Sequence, residues 1–134
     1  MSEAYDSAWR ASIDNPAAFW GEAAQAIDWF TPPAATWDDA EGWYAGGTLN
    51  TAWNCLDRHV AAGRGDALAL CYDSPVTDVV QQFTYAQLLE ETGRVAAMLT
   101  RLGVGKGDRV IIYMPMIPQT VFAMLACARL GAVH

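Results

Sequence analysis

The stretch "LGVGKGDRVIIYMPMIP", residues 102–118, sets three glycines and a lysine against an apolar run. A phosphate-binding loop needs the order strand, glycine-rich loop, helix, so that backbone N–H groups and the positive helix end face the anion. Here a helix pattern comes first and a strand pattern follows. Lys106 is followed by Gly107 rather than Ser or Thr, so no hydroxyl stands ready for magnesium, and the order also departs from the dinucleotide fingerprint. These glycines are expected to close one helix and turn the chain.

Downstream, Arg109 to Met114 is apolar on both faces except at its ends, as suits a strand inside a parallel sheet. Pro115 stops it and Pro118 can open the next helix. "QTVFAMLACARLG" (119–131) has only Gln119, Thr120 and Arg129 as polar residues, so this helix is expected to be buried on most sides. Gly131 ends it, and "AVH" (132–134) begins a second strand pattern. Helix–strand–helix–strand is the repeat of a parallel sheet covered on both faces. With one full parallel strand and the start of another, the expectation is the front of a larger α/β protein.

Upstream, "FTYAQLLEETGRVAAMLTRLG" (83–103) carries strong helix signals. Thr84 and Gln87 have capping-box spacing, and Phe83 and Leu88 that of a hydrophobic staple. Leu88, Leu89, Thr92, Val95, Ala96, Leu99 and Leu102 make one stripe, and Gly103 stands at the left-handed position past the end. "DALALCYD" and "VVQQFT", separated by the turn-forming "SPVTD", predict an antiparallel hairpin. Asn50 is placed to cap a helix over about 51–61 with Ala52, Cys55, Leu56 and Val60 inward, broken by "GRG" at 63–65.

The first third reads as helical pieces and loops that wrap. Residues 4–13 predict a short helix, and Asp14 or Asn15 caps the next with Pro16 in its first turn. Phe19, Trp20, Ala23, Ala24 and Ile27 continue it at helical spacing. "TPPAATWDDAEGWYAGG" (31–47) reads as an irregular connector whose aromatics pin it to its own domain rather than form a ligand cage.

Composition narrows the function classes. With 53% hydrophobic and 17% charged residues the 134-residue chain is globular, and a net charge of −7 excludes nucleic acid and anionic membrane as partners. Cys55, Cys71 and Cys127 have no metal-ligand spacing and read as buried, reduced thiols. "MSEAYDSAWRAS" lacks the pattern of a secretory signal and no apolar run is long enough to span a bilayer, which together predict a cytoplasmic address.

The tempting side chains carry no chemistry in this reading. His59, beside Arg58 and near Asp57, has no nucleophile or metal partner nearby in sequence and suits a helix C-terminus. Asp38, Asp39 and Glu41 fit a solvated loop better than a metal cluster. Asp108 and Arg109 read as turn and strand entrance, Cys127 as core, and His134 as part of the second strand.

"YMPMIPQTVFAMLACARLGAVH" (113–134) closely resembles the segment that follows "GDRV" in AMP-forming acetyl- and propionyl-CoA synthetases. "FWGEAAQAIDW", "WYAGGTLNTAWNCLDRH" and "TYAQLLEETGRVAAMLTRLGVGKGDRVIIYMPM" agree with that family in order and spacing, so the resemblance covers essentially residues 5–134. "NTAWNCLDRHVAAGRGD" and "YDSPVT" look more like the propionyl branch. The resemblance implies a 1–62 wrapping region and a 63–134 opening of the AMP-binding domain, a layered α/β fold whose parallel sheet is cut short. It also implies a two-step ligase using ATP, Mg²⁺ and coenzyme A on a small carboxylate, through an acyl-adenylate. The family's ATP loop, ribose-binding acids and late lysine have no counterpart in these residues. Hence the resemblance assigns no catalytic, cofactor-binding or metal residue here, and makes the remainder of the polypeptide the partner. These residues alone are expected to bind no cofactor and to be inactive. The alternatives are a truncated paralogue or proteolytic piece serving as a dimerisation module, and, with less support from polar residues, a small-molecule-binding domain.

Overall fold

The structure, a computed structural model, describes residues 2–134. The chain forms two compact units that divide between Leu49 and Asn50.

In the first unit, α1 (Glu3–Asp14) starts at Ser2, whose hydroxyl accepts from the Tyr5 N–H. Of the two cap residues the sequence offered for α2 (Pro16–Ala23), Asn15 takes the role: its Oδ1 accepts from the Ala18 N–H at 3.2 Å, with Pro16 at the first helical position. The α-helix stops at Ala23 and tightens into a 3₁₀ turn, Ala24–Ala26, so the expected continuation to Ile27 is not helical. The supposed irregular connector contains a small antiparallel hairpin, β1 (Trp37–Asp38) and β2 (Gly42–Trp43), in which Trp37 faces Trp43. The Asp38 carboxylate shapes its turn by accepting from the Ala40 and Glu41 N–H groups at 2.8 and 2.9 Å.

Aromatic edges hold this unit together. The Trp29 indole donates to the Ala24 carbonyl at 3.0 Å, and the Tyr44 hydroxyl donates to the Trp20 carbonyl at 2.9 Å. Gly47 lies so near the Trp29 ring that a Cβ there would fall 2.9 Å from Cζ3, so glycine is required by contact. Among the described residues of the unit only Ala24 is a fully buried hydrophobic residue. Of the aromatics expected to pin the segment to its own domain, Tyr44 does so inside this unit, while Trp37 and Trp43 pack on each other and stay about half exposed.

The second unit has a true core. Asn50 begins helix 51–64 by accepting from the Trp53 N–H at 3.1 Å. This helix is wound with wide π turns over Trp53–Asp57 and Val60–Arg64, and Gly63 leaves the helical region at φ 76°. The wider turn changes which side chains share a face: Ala52 and Leu56 are buried as expected, but Cys55 rotates to the exposed side. The expected hairpin forms as β3 (Leu68–Ser74) and β4 (Val79–Thr84), antiparallel, with a bulge between Leu68 and Leu70.

α3 (Tyr85–Arg101) opens with both halves of the capping box, Thr84 Oγ1 accepting from the Gln87 N–H and Gln87 Oε1 from the Thr84 N–H. It closes in a Schellman turn: the Gly103 N–H donates to the Thr100 carbonyl and the Val104 N–H to the Leu99 carbonyl, each at 3.0 Å. That turn needs the φ of 88° at Gly103, which glycine adopts without a Cβ clash. The buried stripe is Leu88, Thr92, Ala96 and Leu99; Leu102 leaves it because it is the C-cap, outside the helix, and is exposed.

α4 (Pro118–Leu130) starts with Pro118 and ends at Gly131 in the left-handed conformation, as the sequence required. Ala96 and Leu99 of α3 pack on Ala126, Cys127 and Ala132, while Leu56, Leu88 and Phe122 form a second cluster that includes Phe83 of the staple. The strand expected over 109–114 is realised only as a single parallel bridge, Arg109 to Val133. A ladder needs a neighbour along its length, and the only described segment beside this one is the short run at 132–134. Parallel direction is kept: Val110 N–H donates to the Val133 carbonyl, and Val133 N–H to the Asp108 carbonyl, both at 2.8 Å.

Asn50 also reaches across to α4, its Nδ2 donating to the Arg129 carbonyl at 3.0 Å and, more weakly, to the Ala128 carbonyl. One side chain thus starts one helix and ends another. Asn50→Ala should lower the unfolding free energy of the second unit by about 1–2 kcal/mol, and Asn50→Ser, which keeps only the cap acceptor, should recover part of it. Urea unfolding followed by circular dichroism measures both; an unchanged midpoint in Asn50→Ala would remove the clasp.

Candidate functional site

The glycine turn at 103–108 is the first place to look for an anion cradle, and five of its six backbone N–H groups, all but that of Lys106, are already engaged. Besides the two N–H groups of the Schellman turn, Gly105 N–H donates to Asp108 Oδ2 at 2.8 Å and Gly107 N–H to the Gly131 carbonyl at 2.9 Å. The turn therefore ties the end of α3 to the end of α4. The aliphatic stem of Lys106 lies over Gly131, where an added Cβ would meet its Cγ at 3.1 Å.

The other singled-out residues do not converge. Asp57 pairs with Arg129 of α4 at 2.6 Å, a partly buried ion pair, while His59 Nδ1 meets Arg64 and its ring lies 4.8 Å from that of Tyr85. Asp38 is held below the usual carboxylate range by the N–H groups of Glu41 and Ala40 that it accepts from. Asp39 accepts from the Trp37 indole at 3.0 Å, so the acidic triplet with Glu41 is turn chemistry. Among the described residues no three His, Cys, Asp or Glu side chains gather to hold a metal ion. Cys127 is fully buried, and desolvation pushes its thiol above the ordinary value. His134 lies exposed past the bridge.

Two surface features stand out. In the second unit, Ile111, Tyr113 and Met116 of the extended segment are almost wholly exposed, and a shallow cleft of about 220 Å³ lies between Leu70–Asp73 and Met116–Val121. In the first unit, Trp37 and Trp43 wall an apolar cleft of about 370 Å³ with Asp14, Asn15, Pro16 and Ala17.

This arrangement of caps, turns and packed helices has close counterparts. The chain matches the family model for AMP-binding enzymes over residues 57–134 and that for the acetyl-coenzyme A synthetase N-terminus over residues 5–55. The chain belongs to the AMP-binding enzyme family. It is 54% identical over 92% of its length to an uncharacterized protein of Pseudomonas aeruginosa, covering 20% of that protein. It is 46% identical over 97% of its length to acyl-CoA synthetase short-chain family member 3, mitochondrial, of Rattus norvegicus, again 20% of the relative. Its fold superposes on acetoacetyl-CoA synthetase from Streptomyces lividans with a TM-score of 0.81 at 37% identity, covering 92% of this chain and 20% of that one. The chain thus spans about a fifth of the length of the relatives it matches.

The family implies a nucleotide and coenzyme A, and the glycine turn of this chain does not fit the nucleotide's phosphates. Five of the turn's six N–H groups are spent internally, and among the described residues no set of acidic side chains is assembled to hold a metal ion. No helix among the described residues is long and apolar enough to cross a membrane.

Sequence reasoning missed the Asp57–Arg129 pair and the second role of Asn50, which join residues 72 and 79 positions apart. No local pattern signals either. The burial of Cys127 was legible from its largely apolar helix, whereas Cys55 and Cys71, expected to be buried as well, are exposed. At pH 8, an aromatic disulfide reagent should label Cys55 and Cys71 promptly and Cys127 only after denaturation. Because burial raises the Cys127 pKa, folding gains no penalty below the ordinary thiol range and loses stability as pH rises through and beyond it. Prompt reaction of all three thiols would contradict that burial.

Proposed function

We propose that these residues are the leading part of an AMP-forming short-chain acyl-CoA ligase, which converts a small carboxylate, ATP and coenzyme A to acyl-CoA, AMP and pyrophosphate through an acyl-adenylate. What carries this reading is the pair of adjoining family matches, acetyl-coenzyme A synthetase N-terminus followed by AMP-binding enzyme, in one chain. Propionate is the favoured substrate over acetate, on the strength of "NTAWNCLDRHVAAGRGD" (50–66) and "YDSPVT" (72–77). Magnesium neutralises the polyphosphate in this scheme, held by residues outside this chain. The role of these residues is architectural, and alone they are inactive.

The partner they serve is the remainder of the same polypeptide. In the extended segment Val110 packs inward on the core while Ile111 and Tyr113 are 92% and 99% exposed, although both faces are apolar. Burying one such side chain is worth about 1.5–3 kcal/mol. A neighbouring strand paired along 110–114 would satisfy the backbone, and a helix packed on the resulting sheet would cover that face.

Purified 1–134 given ATP, Mg²⁺ and propionate should release no pyrophosphate above a heat-killed control. A longer polypeptide carrying these residues should release it, with higher kcat/KM for propionate than for acetate. Turnover by 1–134 would overturn the architectural role, and an acetate preference the choice of substrate. Amide hydrogen exchange supplies a second check: the amides of 111–114 should exchange rapidly in 1–134 and be protected in the longer polypeptide. Protection that instead appears in 1–134 as its concentration rises would assign the edge to a second copy of the chain.

A further inference from the structure

The charge of this protein is not shared between its units. Residues 2–49 hold eight acidic side chains and a single cation, Arg10, and so carry the entire −7 of the chain. Residues 50–134 hold seven acidic and seven basic side chains and balance. Self-repulsion on this scale within one small unit is relieved by a cationic partner, and its field steers one in.

We propose that the Trp37–Trp43 cleft of the first unit docks a basic peptide segment of another protein, with an arginine or lysine head seated on the indole faces. The inference is independent of the ligase reading. Trp37 and Trp43 are 47% and 45% exposed, with ring centroids 5.0 Å apart and planes inclined at 67°, so the pair forms an angled apolar wall. The Trp37 N–H is already taken by Asp39, which fixes that ring and places a carboxylate beside it. Tryptophan is the best aromatic acceptor for a cation over its face.

The floor of the cleft favours the same sign. α1 ends there at Asp14 with no basic side chain in its last turn to offset the negative helix end. The adjoining first turn of α2 offers few free donors to an anion: Pro16 has no N–H, and the Ala18 and Phe19 N–H groups donate to Asn15. Asp14 itself lines the cleft. A polybasic peptide uses both the local aromatic wall and the spread charge of the unit, whereas nucleic acid and anionic lipid are repelled by it.

The probe is a fluorescein-labelled decapeptide of alternating Arg and Gly, titrated with the 134-residue chain and followed by anisotropy, with an alternating Gln and Gly peptide as control. The arginine peptide should bind and weaken as salt rises, and the glutamine peptide should not bind. Trp43→Leu should raise its Kd at least about threefold, Asp14→Asn should also raise it, and Trp9→Leu, an exposed tryptophan outside the cleft, should leave it unchanged. Circular dichroism checks each variant; should Trp43→Leu unfold the hairpin, Asp14→Asn alone decides. Equal binding by the cleft variants and the parent would reduce the effect to diffuse charge and overturn the site. Equal binding of the glutamine peptide would overturn the cationic occupant, and no binding would overturn the whole proposal.

Discussion

The second unit depends on how closely α3 and α4 approach, and small side chains set that distance. Ala96 on one helix and Ala126 and Cys127 on the other are essentially buried, with Ala132 beside them just past the end of α4. A larger side chain at any of these positions would have to displace the partner helix, because close-packed interiors leave no room to absorb it. The turns are built to deliver this approach. The Schellman turn at Gly103 reverses the chain and brings Val104 back onto the same cluster, and the Gly107 N–H ties the turn to the carbonyl ending α4. Asn50 and the Asp57–Arg129 pair then fasten helix 51–64 to the same end of α4.

What was legible beforehand is the chemistry that acts over one helical turn. Thr84 with Gln87, Asn15 with Pro16, and Gly103 and Gly131 each fix their own backbone within three or four residues, so their pattern survives in the linear sequence. The π winding of helix 51–64 was not legible, because Ala52, Cys55, Leu56 and Val60 fit an ordinary 3.6-residue turn equally well. The hairpin at 37–43 was hidden in a segment rich in proline and glycine. Its signal is the Trp37–Trp43 cross-strand pair, and two residues per strand are too few to show alternation.

The functional reading was legible in a different way. No local chemistry in these residues points to a ligase; the glycine turn that most resembles a phosphate loop is a helix-to-helix tie with all but one of its donors spent. Family membership came from the joint order of several architectural segments, which is information about fold. The asymmetric charge was present in the sequence throughout, but it became meaningful only once the division at Leu49 and Asn50 showed that the acidic excess belongs to one folded unit.

The two units also illustrate different ways to make an ordered structure. The second follows the usual rule that apolar side chains collect inside, except along 111–116, where the rule is suspended on one face. The first buries little and relies on indole and phenol groups that offer both an apolar body and a polar tip. Such a unit keeps aromatic faces at its surface as a condition of its own construction. Trp37 and Trp43 are held by the hairpin pairing, the Asp39 carboxylate, each other and the Tyr44 ring beside Trp43, so their outer faces are free to meet another molecule without dismantling the hairpin that presents them.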